Sequence, residues 1–264
     1  MTDTEWQAFT AFRTDFKQAC RNWLLQCGYE YAAPSELQNS IQKSVGKGQL
    51  HLLQQAAAHE NKTPAYPHET PIVYNHSLDD FQPSDHIKLI IISDNPGKNE
   101  QLHKNQRYLI GQAGKVAEGF FRRNPELGID FRRNVIILNK TPIHTAKTKE
   151  LTYLLKYGDV RFRTLFEETQ LWLASKTAAL ERVFGCPLWL VGYGELRKKS
   201  LFTAYAEELQ RQYTGYSDAP VFVFQHFSMN CFSIDLKKLS DTHKSISENL
   251  RITGLFHRKE VLGW

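Results

Sequence analysis

The sequence has no apolar run long enough to cross a bilayer. Its densest, residues 89–92, is four long, against the roughly 18–20 that a spanning helix needs. It opens Met-Thr-Asp-Thr-Glu-Trp, acidic and polar, without the basic and apolar regions of a secretory leader. The expectation is a soluble, cytoplasmic protein with no membrane partner. Cysteine is scarce: Cys20, Cys27, Cys186 and Cys231 are the four, and no two stand in a C-x-x-C spacing. Neither a zinc ribbon nor a disulfide framework is signalled. Cys20 and Cys27 fall on one face of a helix, and all four are read as buried, reduced thiols. There is no GxxxxGK[ST] loop and no GxGxxG after the first strand, which disfavours nucleoside-triphosphate hydrolysis and dinucleotide redox chemistry. Internal repeats and low-complexity tracts are also lacking.

What is present is ordinary globular composition. The 264 residues are 41% hydrophobic, 12% aromatic and 23% charged, with mean hydropathy −0.47. That excludes disordered, collagen-like and coiled-coil chains and fits one large domain, or one domain carrying an extension. The charge is unevenly spread. Residues 1–85 carry 6 basic and 10 acidic side chains, and residues 86–264 carry 27 and 18. A net positive C-terminal two thirds points to a polyanionic partner; the alternative is a solvated basic face with none.

Trp6, Phe9, Phe12, Phe16, Cys20, Trp23 and Leu24 recur every three or four positions, which predicts an amphipathic helix over 6–27. Ser35 is a suitable N-cap for a second helix over 35–59. Pro64, Pro67, Pro71 and Pro83 mark residues 61–85 as an irregular connector. Residues 1–85 therefore read as a helical extension and connector, with no sign of chemistry. From residue 86 the pattern changes. Apolar runs at 87–93, 134–138, 188–192 and 221–225 lack polar alternation, as strands covered on both faces do. Helical stretches at 113–123, 164–184, 196–213 and 234–250 alternate with them. That is the signature of a three-layer α/β/α sandwich around a central, mainly parallel four-stranded sheet. Residues 251–264 read as a packed tail.

In such sheets ligands bind beyond the carboxyl ends of the strands. Three of the four ends deliver polar side chains there: Asp94 and Asn95, then Asn139, then His226. Alone, each has an ordinary explanation as turn, cap or structural residue; together they mark a rim. Asp94 is a candidate general base, and Asn95 can only orient a water. Asn139 presents donor and acceptor in one plane, matching a nucleobase edge. A neutral His226 can donate to an oxygen that becomes negative. Phe227, Met229 and Phe232 make an apolar loop beside it that fits packing or insertion into a base stack. Gly111 and Gly114, before Lys115, open a helix whose N-terminus suits an anion.

Asp94-Asn95-Pro96-Gly97, Gly111-Gln112-Ala113-Gly114-Lys115, Asn139 and His226-Phe227-Ser228 together resemble the uracil-DNA glycosylase superfamily over about residues 87–240. The segment 107–121 is most similar to the thermophilic-type iron–sulfur class, family 4, with its R-P-F-V-G-P-A-G pattern. Asn95-Pro96-Gly97 is closer to the mismatch-specific and single-strand-selective classes. The resemblance implies a monomeric base-excision enzyme that flips uracil or a related damaged base out of DNA and hydrolyses its glycosidic bond without metal or cofactor. Asn95 matches the water-positioning amide of the N-P-G classes, and Asp94 the acidic position of the G-E-x-P-G form. Asn139 matches the residue that reads the uracil edge, and His226 the one that supports the departing base. Departures are visible. Leu109 stands at the stacking aromatic, which passes stacking to Tyr108 or another ring. Phe227 replaces the proline of H-P-S, and no cysteine falls where the cluster ligands would be, so no cluster is expected. Gly111, Gly114, Lys115, Phe227, Ser228 and Met229 would meet the DNA. The alternatives are a non-catalytic nucleic-acid-binding relative, with Arg122, Arg123, Arg132, Arg133, Arg197, Lys198 and Lys199 on phosphates, and a small-molecule hydrolase or transferase on a similar fold.

Overall fold

The computed structural model describes residues 1–27, 49–216 and 218–264. Four strands, β1 (Leu89–Ser93), β2 (Val135–Asn139), β3 (Leu188–Val191) and β4 (Val221–Phe224), form one sheet in the order β2-β1-β3-β4. Every pairing in it is parallel. The helices are α1 (Asp3–Gln26), α2 (Gln49–Glu60), α3 (Gln112–Arg123), α4 (Glu150–Tyr157), α5 (Val160–Phe184), α6 (Thr203–Gln212), α7 (Cys231–Leu239) and α8 (Ile246–Leu262).

Side-chain alternation along the strands builds the layers. Ile90, Ile92, Ile136, Leu138, Leu188, Leu190, Val221 and Val223 share one core with residues of α1, α5 and α6. Leu89, Ile91, Val135, Ile137, Trp189, Val191 and Phe224 share the other with α3, α7 and Leu250 of α8. Both faces are therefore dry, which is why the strands carry no polar alternation. The chain is the expected three-layer sandwich.

Helix α1 starts in a capping box between Thr2 and Glu5 and buries Phe9, Phe12, Phe16, Cys20, Trp23 and Leu24. Phe12 and Phe16 stack on Trp172 of α5, and the Trp23 indole N–H donates to Glu168 at 3.0 Å. Of the helix expected over 35–59, residues 35–48 lie outside the described part, and α2 accounts for the rest. The expectation over 234–250 is corrected. The chain leaves helix after Leu239 and restarts at Ile246, because Ser245 and Glu248 form a second capping box. The supposed tail, 251–264, belongs mostly to α8, whose Gly254 lies against Phe222 and Phe224 of β4 with no room for a Cβ. Helix α4 carried no recognised sequence signal. The four thiols are free: Cys20 and Cys186 are buried, and Cys27 and Cys231 are only partly so. No described helix is long and apolar enough to cross a membrane.

Candidate active site

The parallel register of β1 and β2 pairs Ser93 with Asn139, so both side chains leave the sheet end on the same face. His226 lies two residues beyond β4, yet its Nε2 comes within 3.0 Å of Ser93 Oγ, past the end of β3. Residues 93, 139 and 226 therefore meet on one rim. The backbone N–H of Ser228 donates to His226 Nδ1 at 3.1 Å, and Ser228 Oγ lies 2.7 Å from the same nitrogen. An acceptor at Nδ1 fixes the neutral tautomer with its proton on Nε2. Burial pushes the imidazole below its ordinary value, which favours the same uncharged form.

Asn139 is 2% exposed, and among the described residues its Nδ2 has no hydrogen-bond partner. Leaving an amide donor dry and unmet costs about 1–3 kcal/mol. Buried polar groups in folded proteins are nearly always paired. The unmet amide stands on the same rim as His226, whose Nε2 faces Ser93 Oγ.

Asp94 and Asn95, which the sequence left as alternatives, are separated by their partners. Asp94 Oδ1 accepts from the Lys140 ammonium at 2.5 Å, and its Oδ2 lies 3.5 Å from Thr148 Oγ1. Its carboxylate is committed to an ion pair. Asn95 Nδ2 donates to Thr145 Oγ1 at 2.9 Å and faces the carbonyls of Pro96, Ile143 and Thr145. Those acceptors fix the amide's orientation. The turn is braced from behind by His144, whose Nδ1–H donates to Pro96 O at 2.9 Å while its Nε2 lies 3.0 Å from Tyr66 Oη. Burial pushes His144 down to about 3, so the brace stays neutral.

Glu100, which the sequence did not single out, joins the two glycine-bearing turns. Its Oε2 accepts from the Gly97 N–H at 3.0 Å, and the N–H groups of Leu109 and Ile110 also act on it. Burial pushes the carboxyl from 4.5 up to about 7, against the pull of those amides and of Arg132. Between these two values the folded protein keeps a proton that the unfolded chain has lost. Stability is therefore expected to fall as pH rises from about 4.5 to about 7, by roughly 3 kcal/mol from this group, and then to level off. Urea unfolding across that range checks it: Glu100→Gln should remove this part of the decline, and an unchanged profile would acquit the carboxyl.

The remaining candidates divide. Tyr108 is fully buried, with its hydroxyl donating to Val73 O; it belongs to the core beneath the rim and presents no ring to a base. Leu109 is 4% exposed with φ 49°, so its contribution is a backbone turn, and it offers no platform either. A Cβ on Gly114 would sit 1.6 Å from Leu109 O, which is why glycine is needed there. Gly111 is the N-cap of α3 and supplies no side-chain cap; Lys115 is exposed one turn on. Phe227 is fully buried and packs on Phe232, so it cannot act as a wedge. Met229 is 84% exposed. It and Asn230 are consecutive left-handed residues, φ 52° and 58°, a conformation that costs non-glycine residues of order 1 kcal/mol or more. The loop tip is thus strained, with the Met229 side chain exposed to solvent near His226.

A cleft lined by Leu25, Cys27, Leu50, Val160 and Phe162 lies away from the strand ends. Among the described residues no three His, Cys, Asp or Glu side chains are arranged to hold a metal. No protein-family model matches the chain, and neither a curated protein nor a solved structure matches it.

Proposed function

We propose that this chain is a DNA glycosylase that hydrolyses the N-glycosidic bond of uracil, or a related damaged base, after the nucleotide turns out of the stack. The observation that carries the reading is the idle, buried amide of Asn139 on the same rim as an uncharged imidazole whose proton is on Nε2. Asn139 would meet the pyrimidine edge, its Nδ2–H groups on a carbonyl oxygen. As the glycosidic bond stretches, charge builds on the departing base, and His226 donates to the oxygen where it gathers. Asn95 Oδ1 holds the attacking water on the sugar side. Exposed Lys115, Arg122, Arg123, Arg197, Lys198 and Lys199 supply cations for the phosphate backbone.

The test is incubation with single- and double-stranded oligonucleotides containing one uracil, followed by alkali. Strand scission at that position, lost in His226→Ala and Asn139→Ala, is the expected result. Oligonucleotide binding that weakens with salt but yields no alkali-labile product would instead mark a non-catalytic relative. Absence of both overturns the reading.

The strained tip adds a prediction. Met229→Gly accepts the left-handed backbone without penalty, so stability should not fall. Removing the exposed side chain should slow excision from duplex roughly tenfold while sparing single strands, where no stacked partner must be displaced. Parallel rate measurements on the two substrates decide it.

A further inference from the structure

Lys140 is fully buried, a rare place for a lysine unless it is paired. Its ammonium donates to Asp94 Oδ1 at 2.5 Å and to Val191 O at 2.7 Å, and lies 5.2 Å from the centre of the Phe202 ring. Asp94 is held equally firmly. A Cβ at Gly192 would stand 2.5 Å from its Oδ1, so the chain bends there, with φ 86°, to admit the carboxylate. Burying two charges and pairing them gains little cohesion over an apolar pair of the same size. The position is the informative part. Lys140 follows Asn139, Asp94 follows Ser93, and Ser93 holds His226.

We propose that Lys140 is a positioning residue for the rim: paired with Asp94 beside Ser93 and Asn139, it offsets the carboxylate's field at His226 and so helps burial and the Ser228 N–H keep the imidazole uncharged, with its Nε2–H turned toward Ser93. An imidazolium would place a proton on Nδ1, opposite the Ser228 N–H, and would break the contact that shapes the 226–230 tip. Burial is the largest influence on the imidazole and holds its titration down; among the described residues Asp94 draws it up and Lys140 drives it down, while Glu195 acts in turn on Lys140. What the imidazole does for a substrate rests on the glycosylase reading; its charge state does not.

The experiment is a nitrogen-15 NMR titration of the His226 ring in the full chain, free of nucleic acid. In the natural chain the ring is the Nε2–H form through neutral pH. In Lys140→Met the midpoint is expected to rise by about one unit or more. In Asp94→Asn it moves the other way, and in the double variant Asp94→Asn/Lys140→Met, which carries no charge at either position, it returns close to the starting value. An unchanged midpoint in both single variants overturns the proposal, whether or not uracil is excised. Where excision is found, the activity of Lys140→Met should fall with acidification along the raised midpoint and recover at higher pH. A lysine that only holds the strands together would lower the rate without moving the pH profile. Failure of the excision assay alongside the expected NMR shifts would sink the glycosylase reading and leave the role of Lys140 standing.

Discussion

Asn139→Leu should yield a protein at least as stable as the natural one and almost without excision activity. Most buried substitutions destabilise, so the sign of the stability change is diagnostic. The amide is 2% exposed, and its Nδ2 meets no acceptor among the described residues. Leucine keeps a branched side chain and removes the unmet donor, relieving a penalty of about 1–3 kcal/mol. Excision should fall roughly a hundred- to a thousandfold, the scale seen when a preorganised donor is removed from a catalytic site. Thermal melting and single-turnover excision on the same preparation test both halves. A marked loss of stability would mean that the amide has an internal role. His226→Ala should lose activity comparably but with the opposite stability signature, since Ser93 and the Ser228 N–H each lose a partner.

The second large effect concerns Asp94. Asp94→Leu leaves the Lys140 ammonium buried with only the Val191 carbonyl and an aromatic ring beside it. Breaking a buried pair from one side costs about 3–5 kcal/mol. Joint replacement, Asp94→Leu with Lys140→Met, should restore most of that, because both desolvated charges are gone. Denaturant unfolding of the two single variants and the double gives the coupling directly. Additive losses would mean that the two side chains do not act as a pair.

The architecture was legible in the sequence because strands buried on both faces announce themselves as unbroken apolar runs, as 89–92 does. Ser93, Asn139 and His226 meet because each ends or follows a strand of one parallel sheet, and the last two stand out in the sequence as polar residues closing apolar runs. Ser93 was missed as an ordinary strand residue. Lys140 and Glu100 were missed for a shared reason: a charged side chain beside a turn reads as solvated, and only partners distant in the chain make its burial tolerable. Lys140 finds Asp94 46 residues away, and no local pattern encodes that. Tyr108 and Phe227 failed the other way. An aromatic next to a glycine-bearing turn or a catalytic-looking histidine invites a ligand role, but both rings fill the second core. The break before α8 was readable in Ser245-x-x-Glu248, a helix-start signal outweighed by the apolar residues on either side.

The aromatic stripe of α1 has a practical consequence. Phe12 and Phe16 rest on Trp172, and Phe9 meets Phe81 and Phe184, so the first helix seals one side of the sandwich. A shortened chain beginning at residue 86 would lose that wall and leave Trp172 and Phe184 beneath it as a sticky outer surface. Such a truncation should precipitate on expression, and anyone seeking a minimal fragment must keep the opening helix, supplied in one chain or as a separate peptide.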